Sequence, residues 1–219
     1  MNAPARIALV TNVAPASAGA TSRRDHGIAL TALVVAGGYA TVRYNLFKGV
    51  PWSDWPGYVA NKALAVAGLW LLAWAAWRKL RASGSTRVPM AWAGALILSH
   101  AFLSFGLFNP TYFGKFLADG RVNGVGDLSL LTGAGAVALL ELGARGAPRW
   151  SRRAWLRSLA VLLVLSVLHT SLPGLSGWFA PATWPGRLPP LTLLASAPAL
   201  LAVVALARTN QKSHPDDPT

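Results

Sequence analysis

The chain has 219 residues, of which 53% are hydrophobic and only 12% charged, and its net charge is +13. Soluble domains carry about 25% charged residues, so the composition is that of a membrane protein rather than a soluble globular domain. The absence of cysteine excludes disulfides, thiolate metal sites, iron–sulfur clusters and thiol catalysis.

Six apolar segments follow one another along the chain, and each is close to the ~20 residues that cross a bilayer. They are predicted at 27–46, 59–79, 88–108, 127–145, 154–173 and 188–208. The sequence therefore predicts an all-α membrane protein, a six-transmembrane-helix bundle with polar tails at 1–26 and 209–219. We expect no separate flavin- or nucleotide-binding domain, because six spans and short loops use up the length.

The basic residues predict the orientation of the bundle. Fourteen of the 20 lysines and arginines fall in the two tails and in the second and fourth loops, which lie on one side of the membrane. The other six are Arg43, Lys48, Lys62, Lys115, Arg121 and Arg187. Because basic loops stay in the cytoplasm, both termini are predicted to be cytoplasmic, with the chain integral to a bacterial inner (plasma) membrane. Cations placed at helix ends argue against a nucleic-acid partner.

Two histidines fall inside the apolar segments. They are His100 in VPMAWAGALILSHAFLSFGLF and His169 in AWLRSLAVLLVLSVLHTSLPG. Both segments start on the cytoplasmic side, and at 1.5 Å per residue the histidines lie roughly 18 and 22 Å from the inner face. An ionisable group at membrane depth is costly, so this pair at matched depth is the leading functional-site hypothesis.

Parallel helices with imidazoles at matching heights can hold a haem edge-on between them, with His100 and His169 on its two axial faces. Hydroxyl groups nearby are candidates to orient the rings. They belong to Ser99, Ser104, Ser166 and Thr170. Cations near the outer surface are candidate contacts for the haem propionates. They are Arg43, Lys62, Lys115 and Arg187. The alternative is that each histidine only hydrogen-bonds a neighbouring helix.

These histidines, together with the loop segments FNPTYFGKF and WPGRLPP, make the chain resemble the ferric-reductase-like transmembrane domain family. The resemblance covers roughly the second to sixth segments. It implies b-type haem between the third and fifth helices and electron transfer across the membrane. Many members carry two histidines on each of these helices, which bind an inner and an outer haem.

The inner pair is missing here. The positions 13–14 residues toward the cytoplasm hold Thr86 or Arg87 on one helix and Trp155 or Leu156 on the other. The sequence thus predicts one haem b, in the outer leaflet, in a membrane oxidoreductase or its electron-transfer subunit. Its donor would be quinol, a bound flavin or a separate flavin reductase, and its acceptor a redox partner or small oxidant outside. The alternative is a haem-free transporter or assembly subunit whose histidines serve packing or proton handling.

Overall fold

The computed structural model describes residues 17–83, 85–146 and 150–212. Six long helices make up most of this part of the chain. They are α1 (Ser17–Thr41), α2 (Ala60–Leu80), α3 (Arg87–Gly106), α4 (Gly124–Gly146), α5 (Arg152–Ser171) and α6 (Leu191–Lys212). Each belongs to a helical stretch that is long and apolar enough to cross a membrane. This confirms the prediction of an all-α bundle with six membrane-spanning helices.

Short elements connect the helices on the side of the bundle that is poor in basic residues. They are a π-helical turn at Val42–Phe47, turns at Trp52–Asp54 and Trp55–Val59, turns at Pro110–Phe113 and Gly114–Phe116, strands β1 (Leu117–Ala118) and β2 (Arg121–Val122), and turns at Leu175–Trp178, Pro181–Thr183 and Pro185–Arg187. The antiparallel hairpin turns at Asp119-Gly120, where both residues have positive φ. Asp-Gly is a preferred pair for such a turn, although the sequence prediction did not use it.

Helix α2 is the centre of the bundle and packs against α1, α3 and α6, while α5 packs between α4 and α6. Of the apolar window in Trp52–Leu80, 67% is buried, against a third or less in every other span. Gly68 lets α3 approach closely, since a Cβ there would lie 2.8 Å from Ile97 Cγ1. The outward faces of the other helices carry exposed apolar side chains, as lipid-facing helices do.

The predicted tails are partly helical. Helix α1 begins at Ser17, ten residues before the predicted 27, and α6 continues to Lys212. The rest of the tails, at 1–16 and 213–219, lies outside the described residues. Hydropathy alone placed the start of the first helix too late, because polar side chains early in α1 have partners on other helices: Trp92 Nε1 donates to His26 Nδ1 over 2.8 Å. His26 is exposed, and this hydrogen bond joins it to α3.

A buried ion pair joins α1 to α2. Arg78 Nη1 lies 2.5 Å from Asp25 Oδ1, and the two side chains are only 8% and 6% exposed. Arg78 Nε also donates to the Ser83 carbonyl, which fixes the turn after α2. Removing one partner of such a pair leaves an uncompensated charge in the protein interior.

We expect Asp25→Ala to lower the free energy of unfolding by about 3–5 kcal/mol. Glu141→Ala is the matched control, because it breaks the exposed Glu141–Arg145 pair, whose loss should cost about 1 kcal/mol or less. The measurement is the thermal unfolding midpoint of the purified protein in detergent.

The double variant Asp25→Leu with Arg78→Met removes both charges and should regain most of the loss. Equal midpoints for Asp25→Ala and Glu141→Ala, or a double variant no more stable than Asp25→Ala, would contradict this assignment.

Candidate functional site

The structure brings His100 of α3 and His169 of α5 together. Their ring centres lie 6.1 Å apart, with the ring planes at 67°, and both side chains are half-buried. A metal–nitrogen distance of about 2 Å on each side of one ion separates the centres of two imidazoles by roughly 6 Å. The spacing of the pair would therefore allow both rings to bind a single metal.

His100 is held by Asn61 of α2. Its Nδ1 lies 2.8 Å from Asn61 Oδ1 and 3.1 Å from the Asn61 backbone carbonyl. Asn61 Nδ2 in turn donates to Ser104 Oγ over 2.9 Å, and this orients the amide so that its oxygen faces the ring. Since a carbonyl oxygen only accepts, the arrangement assigns the proton of His100 to Nδ1.

His169 is held in the same way by Ser129 of α4. Its Nδ1 lies 2.8 Å from the Ser129 carbonyl oxygen, and Ser129 Oγ donates back to the His169 carbonyl over 2.9 Å. Ser129 is fully buried. Gly133, one turn further along α4, leaves room for the ring, because a Cβ at this position would lie 2.6 Å from His169 Nδ1.

The two rings thus use Nδ1 for every hydrogen bond that they make to described residues. With the proton on Nδ1, the lone pair of each Nε2 is available to a metal, and the ring stays neutral. A carbonyl partner on the other ring nitrogen is the usual support of a histidine ligand. Within the described residues no group of three or more His, Cys, Asp or Glu side chains forms a metal site.

Of the four hydroxyl groups predicted to orient the rings, only that of Ser104 lies at the site, 3.5 Å from His100 Nδ1. Ser166 Oγ donates to the Leu162 carbonyl in its own helix, and Thr170 Oγ1 bonds Ser166 and Ser196. Ser99 is exposed on α3. The sequence analysis considered only hydroxyl groups on the same helices as the histidines. It therefore did not predict Asn61 and Ser129, which lie on neighbouring helices.

Two lysines and three tyrosines form a cluster that includes Lys62, the residue after Asn61. Lys62 Nζ lies 3.9 Å from the ring centre of Tyr58 and 5.5 Å from that of Tyr44. Lys48 Nζ lies 5.5 Å from the same Tyr44 ring, and Tyr112 stacks on Tyr58. Within the described part of the chain, neither lysine forms a salt bridge with a carboxylate. We call these five residues the lysine–tyrosine cluster.

Lys115 and Arg43 lie near the lysine–tyrosine cluster. Partial burial lowers the pKa of Lys48, and the positive charges of Lys115 and Arg43 lower it further. Lys115 Nζ donates to the Pro173 carbonyl over 3.0 Å, while Arg43 Nη1 donates to the Leu188 carbonyl. The buried Arg43 Nε has no hydrogen-bond partner among the described residues.

Of the four predicted cations, Lys62 belongs to the lysine–tyrosine cluster and Lys115 and Arg43 lie near it. Arg187 is exposed in the loop before α6. Lys48 was not among the predicted contacts. Its only signal in the sequence is its position on the side that carries few basic residues.

No protein-family model matches the chain, and comparison with the curated proteins finds no similar sequence. What this site does must therefore be inferred from its own residues. Those residues include two imidazole rings whose centres are 6.1 Å apart and, one residue along α2 from Asn61, the lysine–tyrosine cluster.

Gly133→Ala should displace the His169 ring, because its Cβ would overlap Nδ1 and break the bond to the Ser129 carbonyl. Leaving the Nδ1–H of His169 without this acceptor costs about 1–3 kcal/mol. Gly143→Ala is the matched control on the same helix, since its Cβ would meet no atom within 4 Å. Thermal unfolding in detergent should show a lower midpoint for Gly133→Ala only. Equal midpoints would show that Gly133 does not hold space for the ring.

Proposed function

We propose that the chain is a membrane cytochrome that holds one b-type haem between His100 and His169 and passes electrons to an acceptor on the outer side. The observation that carries the proposal is the paired geometry of the two rings. Their centres are 6.1 Å apart, and each Nδ1 faces a carbonyl oxygen. A bound haem would supply an iron that changes between the ferric and ferrous states.

The chain's own residues account for how such a group would be held. The oxygens of Asn61 and Ser129 that face Nδ1 assign the ring proton to that nitrogen and restrict rotation of the His100 and His169 rings. Gly133 provides the space against α4 that the His169 ring requires. Pre-oriented ligands of this kind raise metal affinity because little rotational freedom is lost on binding.

The haem propionates would be held by Lys62, Lys115 and Arg43, which are the predicted cations that lie in or near the lysine–tyrosine cluster. Lys62 supports this role best, because it is only partly exposed and forms no salt bridge within the described residues. An unpaired cation near hydrocarbon favours an anionic partner. Arg187 is left out of the proposal, since its side chain is exposed.

We infer the orientation from the distribution of basic residues, which places both termini in the cytoplasm and the lysine–tyrosine cluster toward the outside. The resemblance to the ferric-reductase-like family supports the same arrangement in a bacterial plasma membrane. The positions of the inner histidines are filled by other residues, so one haem is proposed. Its acceptor would be a small oxidant or a redox protein that docks on the outer loops.

The first test is the visible spectrum of the purified full chain. We expect a sharp Soret band that shifts on reduction, and low-spin haem should be lost in His100→Ala and in His169→Ala. His26→Ala is the matched control, because His26 contacts Trp92 at the far end of the bundle. Two membrane-histidine variants that retain a full complement of low-spin haem would contradict the ligand assignment.

The same proteins in liposomes test the electron-carrying role. With decylubiquinol in the bilayer and a ferric chelate outside, the wild type and His26→Ala should reduce the chelate faster than His100→Ala does. A protein that binds no haem at all, yet remains folded, would favour the alternative of a haem-free membrane protein with structural histidines.

Orientation is tested separately by cysteine labelling, for which a cysteine-free chain is suited. Ser53→Cys should react in intact cells with a maleimide that does not cross membranes, because residue 53 is exposed in the first loop. Ser83→Cys, in the exposed turn after α2, should react only after permeabilisation. The reverse pattern would place the termini outside.

A further inference from the structure

A cavity of about 760 Å³ lies between α3, α4 and α5, at the end of the bundle where most of the basic residues are found. One face of α3 lines it, because the lining residues recur at the three- and four-residue spacing of a single helix face. They are Arg87, Met90, Ala91, Gly94, Ala95 and Leu98. The volume is within the range of about 300–1,000 Å³ that is usual for small-molecule sites.

The cavity lies where two pairs of helices meet. Helix α3 packs mainly against α2, and α4 packs mainly against α5, whereas α3 makes far fewer contacts with α4. Ala91 and Ala95 line the cavity and are also exposed, within a membrane-spanning helix. The surrounding hydrocarbon therefore reaches the lining from the side. Side chains along an unfilled gap lose dispersion contacts, so filling it with hydrocarbon is favourable.

The lining is polar at one end and apolar along the rest. Every polar side chain in it lies within about two turns of a helix end, and the stretch from Met90 to Leu98 on α3 is apolar. Arg87 and Leu98 are separated by roughly 16 Å along the helix axis at 1.5 Å per residue. One leaflet contributes about 15 Å of hydrocarbon, half of the ~30 Å core of a bilayer. The apolar lining is therefore as long as one leaflet is deep.

The polar end of the cavity carries an excess of positive charge. Lys79 and Arg87 line it, and within the described residues neither forms a salt bridge. Lys79 Nζ lies 5.3 Å from the ring centre of Trp155, which holds the ammonium group at this end. The one carboxylate of the lining, that of Glu141, is already paired with Arg145 over 3.1 Å. Two cations are thus left for an anionic ligand.

We propose that this cavity binds one anionic phospholipid, whose phosphate group lies at Lys79 and Arg87 and one of whose acyl chains lies along the apolar lining. Basic pockets between membrane helices bind acidic headgroups in this way. A zwitterionic lipid would bring its own cation next to Lys79 and Arg87. A water-soluble anion would leave the apolar lining unfilled, and an uncharged lipophilic molecule would leave the two cations unpaired. The proposal does not depend on haem binding.

Lipid selectivity of the purified full chain is the first test. Native mass spectrometry in detergent compares dioleoylphosphatidylglycerol with dioleoylphosphatidylcholine, which has the same acyl chains and no net charge. We expect the first anionic lipid to bind about tenfold more tightly than the neutral one, because each basic group near a headgroup favours the anion. The double variant Lys79→Gln with Arg87→Gln should lose this preference.

Arg152→Gln with Arg153→Gln is the matched control. It removes the same charge from exposed positions at the same end of the bundle, and neither residue lines the cavity. It should keep the preference of the wild type. Because the lipid binds the folded chain, phosphatidylglycerol should also raise the thermal unfolding midpoint of the wild type and of this control more than that of the Lys79 and Arg87 variant.

The position of the acyl chain is mapped on the wild type, so the result does not depend on a variant that folds. A phosphatidylglycerol with a photoreactive diazirine on its acyl chain should cross-link to 90–98 of α3 and 139–144 of α4. Gly94→Leu projects into the cavity, where a Cβ would lie 3.8 Å from Leu140 Cδ2, and should reduce this cross-linking several-fold. Gly38→Leu, in open space on α1, should not.

Three results would overturn the proposal. Equal affinity for the two phospholipids would show a groove that takes any lipid chain. Displacement of the bound lipid by excess inorganic phosphate, with no cross-link along 90–98, would show a site for a free anion. Displacement by decylubiquinone, with no effect of Lys79→Gln and Arg87→Gln, would show a site for an uncharged lipophilic molecule.

Discussion

An imidazole at membrane depth has no water to bind, so each of its nitrogens must find a partner in the protein or in something that the protein holds. One nitrogen of each ring, Nδ1, has such a partner. It faces the carbonyl oxygen of Asn61 in His100 and that of Ser129 in His169. Because these oxygens only accept, they assign the proton to Nδ1 and leave both Nε2 lone pairs without a donor among the described residues. The ring-centre distance of 6.1 Å is the observation from which the proposed function takes a shared metal between them.

The burial of α2 explains how one helix can serve two sites. Asn61 and Lys62 are consecutive, so their side chains diverge by about 100° around the helix axis. One faces the histidine on α3, and the other faces the rings of Tyr44 and Tyr58. Since α2 packs against α1, α3 and α6, neither residue can move without shifting the centre of the bundle. A shift of α2 would therefore move both the proposed support of His100 and the proposed propionate contact of Lys62.

Hydropathy predicted the six helices, because a long apolar segment has few alternatives to a membrane helix. The register of each histidine on its helix predicted that the two would lie at similar depth, and the structure brings them together. The sequence did not predict Asn61 or Ser129, since side-chain partners on neighbouring helices depend on how the helices rotate and pack. For the same reason the tertiary partners of Asp25 and His26, which extend α1, were missed. The orientation of the bundle and the haem itself remain predictions.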